Sequence, residues 1–256
     1  MEQEGIYLYG IIETHRHRTF GPIGIGGRED EVFTIDGDDL GVVASRHPIT
    51  SPLRNVQKML THERVLEGIM KEYDSVLPIC FGTIAPTVEK VRTLLETRQH
   101  EFRHLLKIMN HKVELGVKGI WKNRERIFKD LVREHKELNS LKRNLLKASG
   151  QKDRGSAIEA GKRVEQALIE KKEKEAEAVV QQLRGSAVEY KLNPPILEEM
   201  FLNASFLVDQ GRIKEFDNLM ADLSDQYIER YDFWYAGPLP AFNFVRTVIY
   251  SEEWEK

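Results

Sequence analysis

The densest apolar run in the N-terminal half is Val76-Leu77-Pro78-Ile79-Cys80-Phe81-Gly82-Thr83-Ile84, which carries no charge. Tyr73-Asp74-Ser75 and Ala85-Pro86 bound it with turn signals. The pattern predicts a strand buried on both faces, the central strand of a first domain. Pro78 falls near its start, where a missing ladder N–H costs least. Gly82 implies either special dihedrals or the close approach of another chain. Thr87 is placed to cap a following helix.

The flanking pattern supplies the partners of that strand. Ile6 to Ile12 reads as a first strand rich in β-formers. Thr14 to Gly27 reads as a loop. Val32–Ile35 and Leu40–Ser45 read as a hairpin joined by Asp36-Gly37-Asp38-Asp39. Ser51-Pro52 opens a helix that runs to about Tyr73, with Val56, Met59, Leu60, Val65, Leu66 and Ile69 as apolar positions. A second helix is predicted from Thr87 to Met109, and a last strand from Val113 to Trp121. Helices following strands in this order would cover one face of a small sheet, as in a ferredoxin-like fold.

The period changes after Trp121. Ile127, Leu131, Leu138, Leu141 and Leu145 follow a four-three repeat broken by Glu134. Gly150 to Gly155 is a polar interruption, and the seam resumes through Ala157, Gly161, Val164, Leu168, Val179 and Leu183. Residues 122–185 therefore read as a helical, coiled-coil-like arm. Residues 186–256 return to strand–helix–strand: strands at Ala187–Leu192, Phe201–Val208 and Tyr231–Tyr235, with an amphipathic helix from Ile213 to Ile228. The closing Gly237-Pro238-Leu239-Pro240-Ala241-Phe242-Asn243-Phe244 predicts a rigid extended segment with an aromatic anchor. The fold class is α+β, with two ferredoxin-like α/β sandwich domains (1–121 and 186–256) on either side of the arm.

Composition narrows the function. Hydrophobic residues make up 41% of the 256, enough for a core, and no apolar run is long enough to span a membrane. The N-terminus, Met1-Glu2-Gln3-Glu4, is acidic and unlike a secretory leader, which points to an intracellular protein. The single cysteine, Cys80, excludes an intrachain disulfide and is expected as a packed thiol. Net charge is −3, with the arm basic and the rest acidic; the arm's charges read as a solvated face.

Candidate chemistry is sparse. Gly24-Ile25-Gly26 has Glu29 where a dinucleotide loop needs its third glycine. His62-Glu63 has Leu66 where a zinc helix needs a second histidine, so His62 is expected on a helix surface or at an interface. His15 and His17 make at most a weak metal pair on a loop. No Gly-x-Ser-x-Gly elbow occurs, and no carboxylates pair within an apolar segment. These residues imply no catalytic site, cofactor or metal. Two alternatives stay open: an RNA-binding protein using a ferredoxin-like sheet, or a small-molecule enzyme.

Five pieces in register resemble the gas vesicle protein F/L family. They are Tyr7-Leu8-Tyr9-Gly10-Ile11, His62-Glu63, Val76-Leu77-Pro78 with Phe81-Gly82-Thr83, Glu114-Leu115-Gly116-Val117-Lys118 with Trp121, and Gly237-Pro238-Leu239-Pro240 with Phe242 and Phe244-Val245. Ile79-Cys80 departs from the basic residue usual there, and Leu239 and Ala241 from bulkier aromatics. The resemblance implies a non-enzymatic accessory or minor structural protein of gas vesicle formation, in the cytoplasm or on the vesicle. It would bind the hydrophobic major shell protein during nucleation, limit its aggregation, and meet other accessory proteins. Phe81, Gly82, Thr83, Gly237, Pro238, Pro240 and Phe242 are the candidate partner-binding residues, because sheet edges and an aromatic–proline segment suit the covering of apolar surface.

Overall fold

The computed structural model describes residues 4–26, 30–49, 55–135, 138 and 154–254. The helix opening at Ser51-Pro52, the end of the loop at Gly27, Glu29, Leu141, Leu145 and positions 150–153 of the polar interruption lie outside them. The chain is α+β and divides into two compact units. One comprises Met1–Glu114, Leu207–Gly211 and Gly237–Lys256, and the other Leu115–Phe206 and Arg212–Ala236.

The first unit is built on β1 (Glu4–Glu13), β2 (Thr19–Gly21), β3 (Val32–Gly37), β4 (Leu40–Pro48), α1 (Val56–Met70), β5 (Val76–Pro78), β6 (Ile84–Ala85), α2 (Val88–Thr97) and α3 (Gln99–Met109). The sheet order is β2-β3-β4-β1-β5, with β6 also on β1. The eight residues from Gly5 to Ile12 are all buried, so β1 holds the central place. Its side chains feed two cores. Ile6, Leu8 and Ile11 join the α2–α3 core of Val91, Leu94, Leu95, Phe102 and Leu106. Tyr7, Tyr9 and Ile12 join the α1 core of Val65, Leu66 and Ile69. The parity switches after Leu8 because the β1–β4 register slips by one residue between Leu8 and Gly10, a bulge at Tyr9. Gly10 is required there: a Cβ would lie 2.9 Å from Leu66 Cδ2 and 3.0 Å from the Leu77 carbonyl oxygen.

Helices thus cover both faces of this sheet. The expectation of one covered face fails because β1 is apolar at consecutive positions, not alternating ones. The run Val76–Ile84 is likewise not the central strand. β5 and β6 both pair antiparallel with β1, at Ile11↔Leu77 and Tyr7↔Ile84, and a turn at 80–83 separates them. Val76–Ile79 is buried within the unit, with β1 on one side and an isolated parallel bridge from Ile79 to Thr247 on the other. Cys80, expected as a packed thiol, is exposed at that turn.

Local signals set several boundaries. Asn55 caps α1 by accepting the Gln57 N–H. Thr87 caps α2 as predicted, accepting the Lys90 N–H. The helix expected to continue to Met109 breaks at Arg98, whose φ of −108° and ψ of 18° leave the helical range. The Arg98 guanidinium is held by Glu101, Glu253 and the Val248 carbonyl, contacts that no local pattern specifies. The loop Thr14–Gly27 contains the short strand β2, paired to β3 at Thr19↔Phe33.

The second unit contains α4 (Arg124–Glu134), α5 (Arg154–Leu183), β8 (Glu189–Leu192) and α6 (Ile213–Gln226), with most of β7 (Lys112–Trp121), β9 (Met200–Asp209) and β10 (Tyr231–Leu239). Its sheet order is β10-β7-β9-β8. Phe206 meets Phe216 of α6 edge-on at 5.2 Å, and Trp121 stacks on Phe201 at 6.2 Å. Leu131, Leu138 and Ala167 form the seam beside α4 and α5, with Val164 and Leu168 against them. Glu134, the break in the four-three repeat, has a partner there. Buried Lys171 lies 2.9 Å from Glu134 and 3.3 Å from Glu175. Glu175 also accepts from Trp121 Nε1 at 2.6 Å and pairs with Arg230 at 2.9 Å. A polar layer therefore interrupts the apolar seam, and each charge in it is matched.

Candidate functional site

Two candidate residues of the first unit, Phe81 and Phe242, meet at His62. α1 places this side chain on its apolar stripe with Val65, Leu66 and Ile69, at spacings of three, four and seven. The histidine is buried, not on the helix surface as its polarity suggested. Its Nδ1 is 3.0 Å from the hydroxyl of Tyr7, 55 residues away in sequence. Burial pushes the imidazole down to about 4, against an opposing hydrogen bond with the Ile79 backbone, so the ring is neutral at physiological pH.

Tyr7 links the histidine to the turn. Its hydroxyl accepts the Gly82 N–H at 3.0 Å, and burial raises its own pKa far above the ordinary phenol value. Gly82 has φ +91°, a region that disfavours any residue with a Cβ. The turn closes through Thr83, whose N–H and Oγ1 both donate to the Cys80 carbonyl, at 3.3 and 2.8 Å. Leu8 N–H donates to the Thr83 carbonyl at 3.0 Å, and Ile79 N–H to the Tyr9 carbonyl at 2.9 Å. The ladder therefore resumes on both sides of the turn, and Phe81 is left projecting from it. The Phe81 ring lies half-buried, edge-on to His62 at 5.7 Å and to Tyr7 at 6.4 Å.

The closing segment reaches the same histidine. Phe242 lies tilted against His62 at 6.2 Å. It is held there by a tight turn in which Phe242 N–H donates to the Pro240 carbonyl at 2.7 Å and Val245 N–H to the Ala241 carbonyl at 2.9 Å. Buried Glu114 fixes Asn243, accepting its backbone N–H at 2.9 Å and its Nδ2 at 2.5 Å. Pro240 and Ala241 are buried, so they pack the segment down rather than present it. Gly237 and Pro238, joined by a cis peptide bond, are exposed toward the end of β10. The structure thus brings Phe81 and Phe242 against one histidine, ties Gly82 to it through Tyr7, keeps Thr83 in the same turn, and leaves Gly237 and Pro238 outside this ring cluster.

His62 and Glu114 carry this arrangement, and neither was a candidate on sequence grounds. The signal for His62 was its place on the helix stripe. The signal for Glu114 was a lone carboxylate among the β-formers Val113, Leu115 and Val117. Among the described residues no group of three or more His, Cys, Asp or Glu is placed to hold a metal ion. None of the described helices is long and apolar enough to cross a membrane.

Comparison with known proteins places this geometry in a family. The family described as gas vesicle synthesis protein GvpL/GvpF matches residues 5–246. Gas vesicle protein F1 of Halobacterium salinarum is 24% identical over 252 residues, 98% of this chain and 97% of that protein. Gas vesicle protein F of a Streptomyces species is 26% identical over 241 residues, 93% of this chain and 98% of that protein. The crystal structure of the gas vesicle protein GvpF from an Anabaena species superposes with a TM-score of 0.82 at 22% identity, covering 96% of this chain and 100% of that one. That of GvpF from Microcystis aeruginosa gives 0.79 at 21% identity, covering 94% and 98%. With the family match running almost from end to end, through both the turn at Phe81 and the segment at Phe242, the chain belongs to the GvpL/GvpF family of gas vesicle synthesis proteins.

Proposed function

We propose that this chain is a non-enzymatic accessory protein of gas vesicle formation, acting in the cytoplasm and at the vesicle. In this reading it binds the hydrophobic major shell protein during nucleation, limits its aggregation, and meets other accessory proteins of the system. Two ferredoxin-like domains, 1–121 and 186–256, joined by a helical arm at 122–185, form part of the same reading. The observation that carries it is the convergence of Phe81 and Phe242, from segments distant in the chain, on the buried ring of His62.

Half-buried aromatic rings on a fixed base suit an apolar partner. They contribute contact area without much loss of side-chain freedom, and the hydrogen bonds of Tyr7 and Glu114 hold the backbone beneath them. Met59, one turn of α1 before His62, is 45% exposed. A shell protein that must face gas exposes apolar area before it assembles, and covering that area contributes a gross gain of roughly 25 cal/mol per Å², from which the entropic cost of association is subtracted. The test is co-expression of the shell protein with and without this chain, followed by affinity capture and measurement of the soluble fraction. Capture together with a rise in soluble shell protein is expected. A shell protein that is not captured and stays equally insoluble contradicts the reading.

A further inference from the structure

The open edge of the second unit's sheet carries a self-complementary sequence. β8 is the last strand of the order β10-β7-β9-β8, and each of its four residues is exposed. With its preceding residue it reads Val188-Glu189-Tyr190-Lys191-Leu192: apolar, acidic, aromatic, basic, apolar. Val188 and Leu192 are 54% and 57% exposed, although alternation puts both on the face of Tyr190, whose ring lies 6.0 Å from Phe206. That face continues into the Phe206–Phe216 core, so the row is apolar but ends at the edge.

The backbone fixes which residues can receive another strand. Asn193 N–H donates to the Asn203 carbonyl of β9, so residue 193 faces inward. The contacts 193 with 203 and 190 with 206 run in opposite order, so β8 and β9 are antiparallel. In such a strand the N–H and C=O of one residue point to the same side and alternate along the chain. Lys191 and Glu189 therefore direct their backbone groups at β9, while Tyr190 and Leu192 direct theirs at the open edge.

We propose that β8 pairs antiparallel with β8 of a second copy of this chain, about a two-fold axis at Tyr190. In this register Tyr190 faces its own equivalent and exchanges two backbone hydrogen bonds with it. Val188 meets the second copy's Leu192, which covers both exposed side chains. Glu189 meets the second copy's Lys191, twice by symmetry, at non-hydrogen-bonded positions where side chains are nearest. Centring the axis on Lys191 instead would oppose two lysines. The same charges select the partner: a lysine on an edge strand discourages uncharged strands, and only a strand with an acid two residues before a base satisfies both. Within one chain Glu189 and Lys191 are exposed and 3.9 Å apart, a weak pair. Four to five residues bury a small area, so the association is weak and concentration-dependent.

Sedimentation velocity of the full chain over a wide concentration series tests this. The wild-type chain is expected to show a reversible monomer–dimer equilibrium. Lys191→Glu and Glu189→Lys each turn both ion pairs repulsive, and each is expected to weaken the dimer by about tenfold or more. Mixing the two variants, or combining both changes in one chain, restores opposite charges and is expected to restore association. Both positions are exposed, and unchanged circular dichroism confirms folding of each variant. A wild-type chain that is monomeric throughout overturns the proposal. So does a dimer indifferent to the single reversals, or one that charge exchange fails to rescue.

Discussion

Tyr7→Phe removes one oxygen atom from the centre of the ring cluster, and the structure sets what that change does. The side chain is fully buried, and the ring's apolar contacts survive the substitution. Two partners are lost. His62 Nδ1, 3.0 Å from the hydroxyl, is buried and has no route to water, so leaving it unpaired costs about 1–3 kcal/mol. Gly82 N–H is only partly buried, and water can replace some of its bond, so its loss costs under about 1 kcal/mol. The total is about 1–4 kcal/mol, which for a chain of this size lowers Tm by roughly 2–16 °C. Thermal denaturation at pH 7 measures the sum. Hydrogen exchange at Gly82 and Thr83 measures the local part, because the turn loses its tie to β1 while the Leu8–Thr83 backbone bond remains. A variant with unchanged Tm and unchanged protection at Gly82 would refute the reasoning, since it would show that the hydroxyl bridges nothing.

Three further outcomes follow from the same geometry. His62 has a folded pKa of about 4 against the ordinary histidine value of 6.5, so its contribution is intact above pH 6.5 and is lost as pH falls toward 4; urea melts should show about 3 kcal/mol of acid destabilisation across that window, absent in His62→Gln. Gly82→Val forces a β-branched residue to φ +91° and should lower stability by about 1–3 kcal/mol, whereas an unchanged melt would show that the turn can rearrange freely. Lys171→Ala leaves Glu134 without its buried partner and should destabilise the second unit by about 2–3 kcal/mol, less than for a fully buried pair because Glu134 reaches solvent; amide exchange in α4 and α5 reads it directly.

Much of the local structure was legible from short-range rules. The Asp38-Asp39 hairpin, the cap at Thr87, the seam through Leu131 and Leu138, and the strand–helix–strand of residues 200–239 each follow from a few neighbouring residues. The misreadings share a cause, which is that contact distant in sequence decided them. Val76–Ile84 has the composition of a central strand, but its pairing with β1 shifts by three residues across the turn at 80–83, and only the partner strand shows that. The break at Arg98 depends on Glu253 and Val248, about 150 residues away. His62 reads as a helix-surface or interface residue, and only its partner Tyr7, on another element, shows that it is buried between α1 and β1. The candidate residues Phe81 and Phe242 were legible singly, while their meeting at one histidine was not.

The central claim is that the turn at Phe81 and the segment at Phe242 form a single binding surface for the shell protein, based on His62. A double-mutant cycle tests it most directly: shell-protein capture is titrated against the wild-type chain, Phe81→Ala, Phe242→Ala and the double variant, all verified as folded. The account predicts that each single change weakens capture and that the two losses fail to add, with a coupling of roughly 0.5 kcal/mol or more. Strictly additive losses, or full capture by the double variant, would contradict it.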